Sequence, residues 1–260
     1  MAGTTVALGF WLGGPVMPRP VLLLIVIATI TATGFGNVVN DIKDIATDRI
    51  SHPNRPLPKG EMTVQSAWIY ACTLAMCALA CAGAVSLLHL LATVVPLLML
   101  VIYTQFLKGT PLAGNLTVSL LVAYALLFGG LKGPGFNCLL IPALLAFLLN
   151  LSREIIKDLE DRPGDVAAGI TTTAVFQLST IKVIVLSIAL TYFLLLFTPV
   201  AFHQFGIIYA VVCAATVIPL QIGWMTLFAK KQPPLHRISV LIKIEMALGL
   251  LALAADRFFQ

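Results

Sequence analysis

Four residues with side-chain oxygens, Asn37, Asp41, Asp44 and Asp48, follow one another at spacings of four, three and four. At ~100° per residue they fall within an arc of about 80°, on one face of a helix. Glu154, Asp158, Asp161 and Asp165 repeat the spacing, and each set closes a long apolar run. Nine of the eleven acidic residues lie in or beside these two places, Glu61 and Glu160 included. Carboxylates gathered from two helix ends repel one another unless a cation sits between them. Mg²⁺ is the natural filler, since it takes oxygen ligands and is commonly shared between one or two carboxylates and substrate phosphates. Lys108, Arg153, Lys157 and Arg55 are close by in chain topology, and basic groups meet the remaining charge of a diphosphate. Acids, bases and long apolar walls together suit a substrate with a diphosphate head and a hydrocarbon tail.

The elements that must position these residues are membrane helices. Of 260 residues, 59% are hydrophobic and 10% charged, with a mean hydropathy of +0.99. A soluble domain carries about 25% charged residues, so the chain is an integral membrane protein embedded in a lipid bilayer. Apolar runs of about 18 to 25 residues suit a ~30 Å hydrocarbon core. The expected helices are Thr5 to about Val16, Val21 to Ile42, Met62 to Leu88, then to about Phe106, Leu116 to Gly130, Cys138 to about Asp161, Ala174 to Phe197, Ile207 to Phe228 and Ile238 to Leu253. Pro53, Pro56, Pro58 and Gly60 predict a rigid loop after the first acidic set, and Pro163-Gly164 predict the stop of the sixth helix. The fold class is therefore all-α: a polytopic bundle of about nine transmembrane helices. The first run is short for a full crossing, which predicts a further segment before Met1.

Thirteen of the sixteen Lys and Arg residues fall on one side if the N-terminus lies inside. Basic loops favour the cytoplasmic face, so both acidic sets are expected there, in a multi-pass protein of the cell membrane. The same placement explains the net charge of +5 without a nucleic-acid partner. The chain reads as a single domain over 1–260, with two pseudo-repeated halves at about 1–110 and 111–230 plus a final helix. Nothing in it calls for an obligatory protein partner. Cys72, Cys77, Cys81, Cys138 and Cys213 lie in apolar segments without a Cys-x-x-Cys pair and read as small hydrophobes. His52, His89, His203 and His236 have no ligand spacing and read as caps or loop residues. Gly9-x-x-x-Gly13 is a small-residue notch for helix packing, a weak signal alone.

Asn40-Asp-x-x-Asp44-x-x-x-Asp48 followed by Asn54-Arg-Pro-x-Pro-x-Gly60 resembles the first motif of the UbiA superfamily of intramembrane prenyltransferases. Arg153-Glu-Ile-Ile-Lys-Asp158-x-x-Asp161-x-x-x-Asp165 resembles its second aspartate motif. The Arg-Glu-x-x-Lys-Asp form is most similar to the digeranylgeranylglyceryl phosphate synthases of ether-lipid synthesis. Tyr103-Thr-Gln-Phe-Leu-Lys108 with Gly114-Asn115 matches the family's middle segment. The resemblance implies a helical bundle around a central cavity that opens toward the cytoplasm. It implies Mg²⁺-dependent transfer of a polyprenyl group, geranylgeranyl foremost, from its diphosphate to a lipid-like acceptor. Asn40, Asp41, Asp44 and Asp48 would hold one Mg²⁺, and Asp158, Asp161 and Asp165 another; the six aspartates are the catalytic set. Asn37, Asn40, Arg55, Tyr103, Lys108, Asn115, Arg153 and Lys157 would meet substrate, with Lys108 and Arg153 on diphosphate oxygens. Tyr103 and Tyr124 are candidates to face an allylic cation.

In the first reading the acceptor is the free hydroxyl of a prenylated glycerol phosphate. A quinone precursor or chlorophyllide is the alternative acceptor, and Arg153-Glu154-x-x-Lys157 favours the lipid. The CDP-alcohol phosphotransferases also use intramembrane aspartates, but their Asp-Gly…Ala-Arg segment is missing from both acidic sets. A transporter with ion-coupled acids is the alternative of another class. Transporter sites lie near the bilayer midplane on broken helices, whereas these acids close helices on one side.

Overall fold

The computed structural model describes residues 2–14, 18–167, 171–229 and 234–259, the side chains of residues 19, 50, 51, 163–167, 219, 228 and 229 excepted. Over those residues it is helical without strands. In chain order the helices are α1 (Ala2–Gly13), α2 (Arg19–Lys43), α3 (Ile45–Ser51), α4 (Pro56–Lys59), α5 (Val64–Val85), α6 (Leu87–Ile102), α7 (Ala113–Gly129), α8 (Leu140–Ala167), α9 (Leu178–Leu196), α10 (Thr198–Ala201), α11 (Ile207–Ala229) and α12 (Leu235–Phe259). Seven segments are long and apolar enough to cross a membrane: Pro20–Lys43, Val64–Val85, Leu87–Leu107, Phe136–Arg162, Leu178–Ala201, Ile207–Leu227 and Leu235–Phe259. α1 and α7 are apolar but shorter. Of the nine expected helices, seven therefore reach spanning length.

Local chemistry sets the boundaries. The Thr63 hydroxyl accepts from Ser66 N–H at 3.1 Å and starts α5, a polar cap on an orphan donor. Ser86 separates α5 from α6 and caps the latter through His89 N–H, while its hydroxyl also meets His89 Nδ1 at 2.8 Å. Gly60 ends α4 in the left-handed region at φ 80°, where a Cβ is unwelcome.

Two expectations are corrected. The first acidic set does not lie on one unbroken helix: α2 ends at Lys43 and α3 begins at Ile45, with Asp44 (φ −89°, ψ 2°) at the joint. Asn37 and Asp41 belong to α2 and Asp48 to α3; Asp44, between them, pairs with Lys108 and accepts from Asn40 Nδ2. Pro163-Gly164 does not stop the sixth helix, for α8 runs to Ala167. Proline there removes one backbone hydrogen bond, and at the wet end of a helix water can serve the freed carbonyl. The side chains of 163–167 lie outside the described residues, Asp165 among them.

Among the described residues packing uses three apolar cores, the smallest joining Val6 of α1, Ile25 of α2 and Phe128 of α7. Ala32, Phe35 and Val39 of α2 meet Ala71 and Ala78 of α5 and Leu97 of α6. On α5 the buried positions are all alanine (Ala67, Ala71, Ala78, Ala82), a small-residue face that lets two backbones approach where lipid gives no hydrophobic drive. The largest core joins α7, α8, α9, α11 and α12 through Leu126, Leu149, Ile155, Ile181, Val185, Leu220 and Ile242. α1 locks onto α7 through glycine. A Cβ on Gly9 would lie 2.1 Å from Leu126 O, one on Gly129 2.1 Å from Val6 O, and one on Gly13 2.8 Å from Gly130 Cα. The notch at Gly9 and Gly13 is thus used in full, against a second glycine pair at 129 and 130.

Gly9→Leu or Gly129→Val forces these backbones apart and is expected to destabilise the protein by about 3 kcal/mol. Gly249→Ala, whose added Cβ meets nothing within 4 Å, serves as the neutral control. Thermal unfolding in detergent measures all three. Equal midpoints for Gly9→Leu and the control would show that α1 is loosely held.

Candidate functional site

The first cluster forms at the end of α2 around two cations. Lys108 donates to Asn40 Oδ1 at 2.9 Å and pairs with Asp44, while Asn40 Nδ2 donates to Asp44 Oδ2 at 3.0 Å. Arg55 Nη1 bridges Asp41 Oδ1 (3.2 Å) and Asp48 Oδ2 (2.7 Å). Asp48 is 5% exposed, so a cation on it is required rather than optional. The hydrogen bond to Asp48 raises the Arg55 guanidinium pKa above its ordinary value. The loop of Pro53, Pro56 and Pro58, with its short α4, returns Arg55 to the acids that precede it by 7 and 14 positions.

Lys108 reaches this cluster because of the backbone before it. Tyr103–Leu107 forms a π-helical turn, closed by Lys108 N–H to Tyr103 O at 2.7 Å. Such a turn inserts one residue into the helical count and is common at functional sites. Tyr103 packs on Gly114, 3.5 Å from where its Cβ would lie. It sits between the clusters, within electrostatic reach of Asp44 on one side and Glu154 and Asp158 on the other.

The second cluster is tied to the start of α7. Asp158 Oδ2 accepts from Asn115 Nδ2 and from Thr173 N–H, both at 3.0 Å. Thr173, fully buried, accepts through its hydroxyl from Asn115 Nδ2 and from Leu112 N–H, again at 3.0 Å. Leu112 itself has φ 62°, a strained value for a branched side chain. Its amide is held there by Thr173. Arg153 pairs with Glu154, and the buried Arg153 Nε has no hydrogen-bond partner among the described residues. Lys157 and Asp161 face out, about half exposed and 3.4 Å apart one turn along α8. Glu160 meets His236 at the start of α12, at 2.8 Å.

Between the clusters opens a cavity of about 420 Å³. Asn37, Asn150 and Arg153 line it where α2 and α8 approach the acids; deeper in, Ala28, Leu121, Phe128, Leu145 and Leu149 make the wall apolar. Asn37 is one turn before Asp41, and Arg153 little more than one before Asp158. Tyr124 lines the cavity with its hydroxyl donated to Ala92 O at 2.6 Å, whereas Tyr103 is not part of the wall.

The structure thus joins Asn40, Asp41, Asp44, Asp48, Arg55 and Lys108 in one network and Asn115 and Asp158 in another, with Asn37 and Arg153 on the cavity between. Lys157 and Asp161 pair with each other, Asp161 one turn beyond Asp158 on α8. Among the described residues no three His, Cys, Asp or Glu side chains converge as a metal cage. The donor set nevertheless suits Mg²⁺: oxygen only, with carboxylates already drawn to positive charge and room for phosphate oxygens to complete the coordination. The sequence reading passed over Thr173, Asn150, Lys243 and Glu245. Two acids outside the motifs, Glu245 and Asp256, were the available signal, because intramembrane carboxylates are expensive.

Known proteins resemble this chain in sequence and fold. The model of the UbiA prenyltransferase family matches residues 2–245. The digeranylgeranylglyceryl phosphate synthase of Methanosphaera stadtmanae is 31% identical over 226 residues, covering 86% of this chain and 83% of its own. A solved structure described as a digeranylgeranylglyceryl phosphate synthase in membranes superposes with a TM-score of 0.89 at 26% identity, over 100% of this chain and 94% of that one. A UbiA homolog from Archaeoglobus fulgidus bound to GPP and Mg²⁺ shares the fold at a TM-score of 0.68 and 18% identity, over 97% and 94%.

Thr173→Val keeps the shape of the side chain and removes its hydroxyl. Leu112 N–H then loses its acceptor, and the expected cost is about 2 kcal/mol. Denaturant unfolding in detergent measures it; an unchanged midpoint would mean that Thr173 does not hold the α7 start.

Proposed function

The chain belongs to the UbiA prenyltransferase family, and on that premise we propose that it transfers a geranylgeranyl group from its diphosphate to the free hydroxyl of a prenylated glycerol phosphate. The observation that carries this reading is one apolar cavity with Asn37 of α2 and Arg153 of α8 on its wall, each about one helical turn before the first acid of its cluster, Asp41 and Asp158. A hydrocarbon tail fits the deep wall, and a diphosphate fits the mouth. The name and 31% identity of the Methanosphaera stadtmanae relative support the lipid acceptor, as does the Arg153-Glu154-x-x-Lys157 sequence. GPP and Mg²⁺ on the Archaeoglobus fulgidus homolog support the donor class.

In this reading Asn40, Asp41, Asp44 and Asp48 hold one Mg²⁺, and Asp158 and Asp161 a second, with Asp165 completing the set by its spacing. Bound there, Mg²⁺ supplies positive charge opposite the departing diphosphate. Lys108 and Arg153 take diphosphate oxygens, Lys108 turning from Asp44 and Arg153 using its unpartnered Nε. These donors stabilise the charge that develops on the leaving group. Asn115 and Thr173 hold Asp158 in place. The apolar wall excludes water from the allylic carbon, and the ring of Tyr124 faces it. The basic loops support a cytoplasmic opening for both clusters.

Membranes containing the protein, supplied with geranylgeranyl diphosphate, Mg²⁺ and geranylgeranylglyceryl phosphate, are expected to form the diether phosphate, read by mass spectrometry. Asp44→Ala and Asp161→Ala should each lower turnover by at least about 100-fold while folded protein stays in the membrane, and excess chelator should stop wild type. Near-normal turnover in any of these three would sink the two-cluster metal model. Prenylation of a quinone precursor in place of the lipid would move the acceptor assignment.

Orientation has its own test. In a background with the five native cysteines replaced by alanine, Glu61→Cys and His236→Cys are expected to react with an impermeant thiol reagent from the cytoplasmic face. Asn137→Cys should react from the opposite face. Labelling of the first two from opposite sides would defeat the assignment.

A further inference from the structure

Two acidic residues stand apart from both clusters, and the structure accounts for them differently. Asp256, 1% exposed on α12, accepts from Gly206 N–H at 2.8 Å and Tyr209 N–H at 3.1 Å. It caps the start of α11, so both its oxygens serve the backbone. Glu245 is 2% exposed and lies ten residues into the same membrane helix. Its Oε1 accepts from Tyr192 OH of α9 at 3.0 Å and Thr216 Oγ1 of α11 at 3.2 Å. No salt bridge reaches it among the described residues. Two neutral hydroxyls thus hold one oxygen of a carboxylate in the middle of a bilayer. Such a residue is costly to place and marks a site by default.

Its position gives it one. Glu245 and Tyr192 are part of the wall of the same cavity that Asn37 and Arg153 line. The contact of Glu160 with His236 sets α8 and α12 level at the acidic end. Measured from there, Arg153 lies about 10 Å down α8 and Glu245 about 14 Å down α12, at 1.5 Å per residue. The two differ in depth by only about 3 Å. Arg153 stands where the diphosphate is held, so Glu245 stands beside the carbon next to it.

Resting on the prenyl-transfer reading above, we infer that Glu245 binds the acceptor's hydroxyl and takes its proton. The bond from the allylic carbon to the diphosphate oxygen breaks, its electron pair leaving with diphosphate. The acceptor oxygen forms the new carbon–oxygen bond, and its proton passes to the Glu245 carboxylate and from there to water. Tyr192 and Thr216 are positioning residues that fix the carboxylate toward the cavity.

The test uses the full chain in lipid nanodiscs, with geranylgeranyl diphosphate and geranylgeranylglyceryl phosphate as probes. Glu245→Gln keeps an acceptor for Tyr192 and Thr216 and loses the base. It is expected to lower kcat about 100-fold with the Kd for geranylgeranyl diphosphate unchanged. A brace without chemical duty would tolerate the amide, so wild-type transfer by this variant overturns the inference alone. Loss of diphosphate binding along with turnover overturns it too, in favour of a packing role. No transfer by wild type removes both this inference and the function on which it rests. If Glu245→Gln does not fold, Glu245→Asp replaces it: folded protein with kcat down about tenfold supports the role, and wild-type kcat, or a second failure to fold, overturns it.

Discussion

Charge beside hydrocarbon must be compensated, and that constraint shapes the catalytic end of this protein. Asp48 is buried and Asp44 only partly wet, and Arg55 and Lys108 are brought to them from 7 and 64 positions away. Each cation needs a special backbone to arrive, a proline-ruled loop for one and a π-helical turn for the other. The acids therefore dictate the path of two connections, each of which brings back a single cation. In the proposed function, phosphate and metal would take over the compensation and release the same side chains to the substrate.

The opposite problem is solved in the walls. Helices in lipid gain little from burying apolar side chains against one another, so the bundle draws its backbones together with alanine on α5 and glycine between α1 and α7. Close backbones at the periphery leave space at the centre. α7, too short to span alone, is held at one end by glycine contacts and at the other by Thr173, Asn115 and Asp158. The Asp158 carboxylate and the register of a helix thus depend on one residue, Thr173, through its N–H and its hydroxyl.

Much of this was legible in the chain. Helical spacing placed the acids on two helix ends, and hydropathy located the spans, because both follow from periods of 3.6 residues and about 20 residues. The end of α2 was legible, since the expected limit at Ile42 falls one residue from the observed Lys43. The pairing of Asp44 with Lys108 was not, because it spans 64 positions and has no local signal. The run through Pro163 was not either: proline signals a stop, and the wet helix end that tolerates it is a tertiary fact. Gly9 and Gly13 looked like a weak notch because the partner glycines at 129 and 130 are equally ordinary alone. Glu245 was visible as an isolated acid, but its neighbours Tyr192 and Thr216 come from two other helices.

The π-helical turn at Tyr103–Leu107 has a consequence for how this site can vary. Its information lies in residue count more than in residue type: one position fewer would restore an ordinary helical turn and rotate everything beyond it by about 100°. Lys108 would then face away from Asp44, although every functional side chain were still encoded. Phe106, 72% exposed, is free to drift on that account, whereas Thr104 is buried, Gln105 meets Lys43, and insertions or deletions move the whole turn. Lineages of this chain would carry the site as a fixed interval, a punctuation mark whose place matters and whose spelling does not.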